Sequence, residues 1–223
     1  WAGLRVIDIG DPSLPVEVGA VDAYLDYSTN VSFSDGLAIT SNQEHGIRLI
    51  DVTTPNSPAT ESILDASGET WSIAVQGNLA CTAGYTSGLH FLDLSDPTGI
   101  QETGNILRGY HVTGVDIHGD RVFATADGDG LRVIDVSNPT FPVESAHVDT
   151  PGIARAVKIH DDFAFVADYT HGLAIIDVSD PDSPFTIGQI DTPGLAADIS
   201  VTGGLAFVAD WNNGLRVIDV SDP

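Results

Sequence analysis

The chain reads as an all-β β-propeller, and three observations lead to that fold class. One segment is written six times: Gly3-Leu4-Arg5-Val6-Ile7-Asp8, Gly46-Ile47-Arg48-Leu49-Ile50-Asp51, Gly88-Leu89-His90-Phe91-Leu92-Asp93, Gly130-Leu131-Arg132-Val133-Ile134-Asp135, Gly172-Leu173-Ala174-Ile175-Ile176-Asp177 and Gly214-Leu215-Arg216-Val217-Ile218-Asp219. The leading glycines stand 43 residues apart once and 42 apart four times, a period that marks a repeat architecture. Within each period four short segments of strand character are separated by turn residues, without helical periodicity, which is the make-up of a propeller blade. A helical solenoid of this period is excluded because the segments are too short and too rich in Val and Ile.

The repeat from Gly152 to Thr192 shows the elements in order. Ala154-Arg155-Ala156-Val157-Lys158-Ile159 alternates small or apolar with polar residues, the period-two signature of a half-buried strand. His160-Asp161-Asp162 is turn chemistry, and Phe163-Ala164-Phe165-Val166-Ala167 is the second strand. Asp168-Tyr169-Thr170-His171-Gly172 forms a loop before the third strand, Leu173 to Val178. Ser179-Asp180-Pro181-Asp182-Ser183-Pro184 carries two prolines and cannot sit inside a ladder. Phe185-Thr186-Ile187-Gly188-Gln189-Ile190 is a fourth, weaker strand, closed by Asp191-Thr192-Pro193-Gly194. The glycine that opens the third strand is expected to take a backbone angle closed to other residues. The aspartate that ends that strand (Asp51, Asp93, Asp135, Asp177, Asp219) is placed to accept hydrogen bonds from turn amides.

Named A to D from the inner edge outward, the strands begin and end at C, so five full repeats carry an extra C strand. A five-bladed ring would make Gly214 to Pro223 compete with Gly3 to Pro12 for one seat. We therefore expect a single propeller domain over 1–223 that is a piece of a longer polypeptide, whose ring has six or more blades.

GLRVIDVSDP at 214–223, GLAIIDVSDPDSP at 172–184 and FAFVAD at 163–168 resemble the LVIVD repeat family. The resemblance extends over essentially the whole chain and implies a β-propeller from a surface or secreted bacterial or archaeal protein, with no activity attached. Two repeats depart from the pattern: Ala23-Tyr24-Leu25-Asp26-Tyr27-Ser28 and Ile106-Leu107-Arg108-Gly109-Tyr110-His111 stand where others have Asp-Thr-Pro-Gly.

Composition removes several function classes. With 32 acidic against 8 basic residues and a formal charge of −24, no basic stripe exists to neutralise phosphates, so nucleic acid is excluded and anionic membranes are disfavoured. Of 26 aspartates, ten lie in the Asp-x-x-Asp-Pro turns and are set by the repeat; the scarcity of lysine, with Lys158 alone, is not. That pattern suits a saline or divalent-rich exterior. Cys81, the one cysteine, falls in register with Phe123, Phe165 and Phe207 and reads as a buried small hydrophobe. No run approaches the roughly 18 apolar residues of a membrane span, so no membrane insertion is expected.

In a propeller the B–C and D–A loops share one face, and here those loops vary while the strands repeat. Three positions before the repeat glycine stand Tyr85, Tyr169 and Trp211, with Gln43 and Asp127 in the other copies. Just ahead of two of them lie Asp168 and Asp210; His45 and His171 precede their glycines; Trp71, His111 and Arg155 come from the D–A loops. An aromatic beside a carboxylate can stack on a sugar or cap a cation, so Tyr85, Tyr169, Trp211, Trp71 and His171 are the expected contacts, with Asp168 and Asp210 as polar anchors. Asp127-Gly128-Asp129-Gly130 is not an EF-hand, because its twelfth position is Asn138, but Asp127 and Asp129 form a candidate calcium pair. No other cofactor is expected.

We expect a non-catalytic scaffold, secreted or on the cell surface, that binds a protein or glycan partner or joins a larger assembly. The alternative is a glycan- or calcium-dependent binding module. An enzyme acting on sugars or lactones would need acids at the channel, where the inner strands begin with Ser72, Gly114, Ala156 and Asp198.

Overall fold

The computed structural model describes residues 3–22, 28–42, 46–64 and 69–223. Gln43, His45 and the departure at 23–27 lie outside the described residues. A two-stranded sheet comes first, β1 (Leu4–Asp8) with β2 (Val16–Val21). Four antiparallel four-stranded sheets follow. They are β3 (Ser28–Ser34), β4 (Leu37–Asn42), β5 (Gly46–Asp51) and β6 (Ala59–Leu64), then β7 (Ser72–Gln76), β8 (Leu79–Ala83), β9 (Leu89–Asp93) and β10 (Gln101–Ile106). The next two are β11 (Gly114–His118), β12 (Arg121–Thr125), β13 (Leu131–Asp135) and β14 (Val143–Val148), then β15 (Ala156–His160), β16 (Phe163–Ala167), β17 (Leu173–Asp177) and β18 (Phe185–Ile190). A three-stranded sheet closes the order with β19 (Asp198–Thr202), β20 (Leu205–Ala209) and β21 (Leu215–Asp219).

The inner strands β3, β7, β11, β15 and β19 pack side by side in sequence, so the chain is a five-bladed β-propeller built of the expected repeats. The strands of the repeat at 152–192 fall where the pattern put them to within two residues at their ends: the first runs from Ala156 to His160 rather than from Ala154 to Ile159, and the third ends at Asp177 rather than Val178. Ala154 instead forms a bridge to Asp127 on the preceding blade, which takes it out of its own sheet. The two copies expected to compete for one seat hold separate places, with β1 and β2 set against the β3–β6 blade, where Gly19 meets Pro55 and Pro58. β21 pairs with β20, and β1 pairs with β2 alone.

The core lies between blades rather than within them. Its four clusters bring Ile39 and Leu49 onto Ile73 and Leu92, Cys81 and Phe91 onto Val115 and Val122, Phe123 and Val133 onto Val157 and Val166, and Phe165 and Ile175 onto Ile199 and Val208. Each blade thus turns one face of its B and C strands to its successor, the nearest-neighbour burial that stabilises repeat proteins. Cys81 is fully buried and desolvation pushes its thiol well above the usual range, which makes it inert filling as expected. Where a C strand has no successor blade the same positions stay open: Leu215 is 63% exposed, whereas Leu173 is fully buried.

The recurrent glycine and aspartate do what the repeat requires. Gly172 has a φ of 71°, and a Cβ there would also meet the Ile190 carbonyl oxygen of the D strand at 2.2 Å. Asp177 accepts from the Ser179 backbone N–H at 2.9 Å and from its hydroxyl at 2.6 Å, and Asp51 and Asp219 hold Thr53 and Ser221 in the same way. In Asp51, Asp177 and Asp219 the hydroxyl, followed by the amide, lowers the carboxyl below the ordinary aspartate range.

Candidate functional site

The loop face is built on a repeated backbone device. Tyr85, Asp127, Tyr169 and Trp211, equivalent residues of four B–C loops, all have left-handed φ of 46°, 45°, 47° and 38°. For bulky residues that conformation costs on the order of 1–2 kcal/mol each. It aims the backbone at the next blade: Tyr85 N–H donates to Val112 O at 3.0 Å and Val112 N–H donates back at 3.1 Å. Tyr169 exchanges the same pair with Ala196 at 3.2 and 3.0 Å, and Ala154 N–H donates to Asp127 O at 2.9 Å. At Tyr85, Asp127 and Tyr169 the strained backbone thus serves a tie between blades, which does not depend on the side chain at this position.

Those side chains, joined by residues of the D–A loops, form a continuous arc around the channel mouth. Trp71 stacks on Tyr85 with ring centres 5.1 Å apart, and Tyr85 stacks on His111 at 4.4 Å. His111 Nδ1 lies 3.3 Å from the Asp127 carboxylate, and Asp127 lies 3.5 Å from the Arg155 guanidinium. Arg155 in turn sits over the Tyr169 ring at 5.2 Å, and Tyr169 meets Trp211 edge to face at 6.3 Å. The arc borders a cavity of about 370 Å³ lined by Trp71, Arg155, Tyr169, Trp211, Asn30 and Thr113, with Ser72, Gly114, Ala156 and Asp198 at its floor. The four inner-strand residues singled out in the sequence thus converge there. A second space of about 260 Å³ adjoins it along the inner strands, where Lys158 Nζ donates to Asp116 at 3.0 Å.

Several expected site residues take other positions. Asp168 and Asp210 are fully buried rather than exposed on the loop face. Asp168 accepts from the Thr150 hydroxyl at 2.7 Å and the Gly152 N–H at 2.9 Å; Asp210 accepts from the Thr192 hydroxyl at 2.7 Å and the Gly194 N–H at 3.0 Å. Each is an internal latch that clasps the Thr-Pro-Gly of the preceding D–A loop. Burial pushes the Asp168 carboxyl above the usual range, against the opposing pull of Thr150 and Gly152. A signal was present in the sequence: the two repeats with this Asp are the two preceded by Asp-Thr-Pro-Gly, at 149–152 and 191–194, whereas Gly84 and Ala126 follow other loops.

The calcium pair is likewise divided. Asp127 faces His111 and Arg155, while Asp129 lies 3.4 Å from Arg132, and among the described residues no three potential metal-ligating side chains cluster. His171, whose Nδ1 lies 3.1 Å from the Thr170 hydroxyl, does not line the cavity. Asn30 and Thr113 are lining residues that the sequence did not single out.

A family model described as LVIVD repeat matches residues 1–23, 67–107, 111–150, 151–192 and 193–223. No curated protein matches the chain. Among solved structures, the computationally designed Ika8 protein superposes with a TM-score of 0.70 at 10% identity, over 92% of this chain and 62% of its own. The computationally designed Ika4 protein gives a TM-score of 0.59 at 11% identity, over 74% of this chain and 99% of its own. The chain therefore spans less than two thirds of the first design's length, and both likenesses bear on the fold alone.

Proposed function

The chain belongs to the LVIVD repeat family, and from that premise we propose that it is a non-catalytic scaffold outside the cytoplasm that presents one rigid loop face to a partner. The observation that carries this reading is the arc from Trp71 to Trp211. The strands below it repeat nearly unchanged, while the residues of the arc differ from blade to blade and leave Trp211 62% exposed. Large aromatics held in fixed geometry on a packed frame supply contact area at low entropic cost. The frame is rigid because both backbone groups of Tyr85 and Tyr169 are tied to the next blade.

The non-catalytic reading is supported by the commitments of the acids. Asp168 and Asp210 are latches, Asp116 pairs with Lys158 and accepts from the Ile159 N–H, and among the described lining residues of the mouth Asp198 is the carboxylate. Placement outside the cytoplasm is supported by the acidic, lysine-poor composition. No helix among the described residues is long and apolar enough to cross a membrane. The test is affinity capture from the culture medium and cell-surface fraction of the source organism, with wild type and a triple variant (Tyr85→Ala, Tyr169→Ala, Trp211→Ala) as baits. The expected result is a partner retained by the wild type and by a rim control, Phe141→Ser, and lost with the triple variant. Equal retention by the triple variant would overturn the reading.

A further inference from the structure

The mouth of the channel has a chemistry that selects among ligand classes, and we infer that it binds an uncharged pyranose ring at the end of a glycan. This rests on the loop face being the recognition surface. The cavity of about 370 Å³ falls at the small end of the ~300–1,000 Å³ typical of small-ligand sites, which suits a terminal sugar better than an extended chain. Trp71, Tyr169 and Trp211 border it, and Trp71 and Trp211 are both left substantially exposed, 37% and 62%. An aromatic face carries negative charge density that attracts the polarised C–H groups on one side of a sugar ring.

The other ligand classes fit less well. A cation would compete with the Arg155 guanidinium, which already occupies the face of Tyr169 at 5.2 Å. A polyanion meets the field of a chain with formal charge −24, together with Asp198 in the wall. A purely apolar ligand would desolvate the polar lining of Arg155, Asp198, Asn30 and Ser72 with nothing in return. Sugar hydroxyls are donors and acceptors at once, so they satisfy a lining that mixes guanidinium, carboxylate, amide and hydroxyl. The Arg155–Asp127 contact at 3.5 Å is longer than the ~2.7–2.9 Å of a charge-assisted hydrogen bond, so the guanidinium keeps N–H donors to spend on a ligand.

The experiment is titration by calorimetry and tryptophan fluorescence with neutral hexasaccharides of glucose, xylose, mannose and galactose. Hexagalacturonate and choline serve as the anionic and cationic comparators. A neutral probe is expected to saturate the protein with a Kd of about 1 mM or tighter, and to shift the tryptophan emission. Trp211→Ala, Trp71→Ala and Arg155→Gln should each weaken it about tenfold or more, while Trp211→Phe keeps most of the affinity. Unchanged melting temperatures show that the variants fold. Absence of saturation by any neutral probe at ~10 mM, tighter binding of either comparator, or full affinity in the tryptophan variants would overturn the inference. A triple variant that still loses its captured partner, in a protein that binds no sugar, would sink the sugar assignment and leave the recognition face standing.

Discussion

At the scale of single residues, the aspartates divide into two groups with opposite responses to acid. Asp168 is desolvated, so its carboxyl lies above the ordinary range. Its contribution is fully present below the unfolded value near 3.8 and is lost as pH rises through the higher folded value. The turn aspartates Asp51, Asp177 and Asp219 are lowered by hydroxyl and amide donors. Their contribution is present above 3.8 and is lost as pH falls through the folded values. Asp177→Asn keeps an acceptor for Ser179, as the amide oxygen of Asn138 does for the Thr140 hydroxyl at 2.7 Å in another turn. This variant should be less stable than wild type near neutral pH and converge with it below pH 4, checked by thermal melts across pH. Asp168→Ala should cost about 1–3 kcal/mol in denaturant unfolding, because it strands the Thr150 hydroxyl and the Gly152 N–H. Stability equal to wild type would show that the latch does not hold the loop.

At the scale of elements, the tightest constraint is the approach of a D strand to the next blade. A Cβ on Gly104 in β10 would stand 2.5 Å from the Pro139 carbonyl oxygen of the following Asn138-Pro139 turn, and one on Gly19 in β2 would stand 2.0 Å from that of Pro55. Ser62, the equivalent residue of β6, fits by donating its hydroxyl to Pro97 O at 2.6 Å. Gly188 in β18 holds the same place, but there the nearest atom, in Ile175, is 3.8 Å away. Gly104→Ala should therefore destabilise by about 1–3 kcal/mol, as overpacking does. Gly188→Ala should be neutral or stabilise by about 0.5 kcal/mol through the unfolded state. Paired chemical denaturation curves decide it, and equal costs would refute the contact as the cause.

At the scale of the whole molecule, stability is a sum over four hydrophobic seams working against the self-repulsion of a formal charge of −24. Raising the salt from about 0.01 M to about 1 M shortens the screening length from about 30 Å to about 3 Å. The melting temperature should rise over that range, and a fall would show that attractive pairs such as Arg121–Asp135 at 2.9 Å outweigh the repulsion. The recognition face is carried by the same frame. Its residues come from separate blades, so their spacing is set by how blades pack and not by any one loop.

The sequence by itself determined what is local and repeated. Alternation of side chains at period two marked the strands, prolines marked the turns, and the spacing of the glycines counted the repeats. Ser72, Gly114, Ala156 and Asp198 were legible as inner-strand starts because the period places equivalent residues at equivalent depths. The tertiary structure alone decided what depends on a neighbouring blade. Asp168 and Asp210 look like free loop acids until a Thr-Pro-Gly 16 to 18 residues earlier folds onto them. The stack from Trp71 through Tyr85 to His111 joins residues of three separate loops. Gly3 to Pro12 and Gly214 to Pro223 carry the same pairing pattern, and only the fold shows that they hold separate places, one paired with β2 and the other with β20. Pairing rules written in the backbone are identical in every repeat, so which surface each copy meets is a property of the assembled blades.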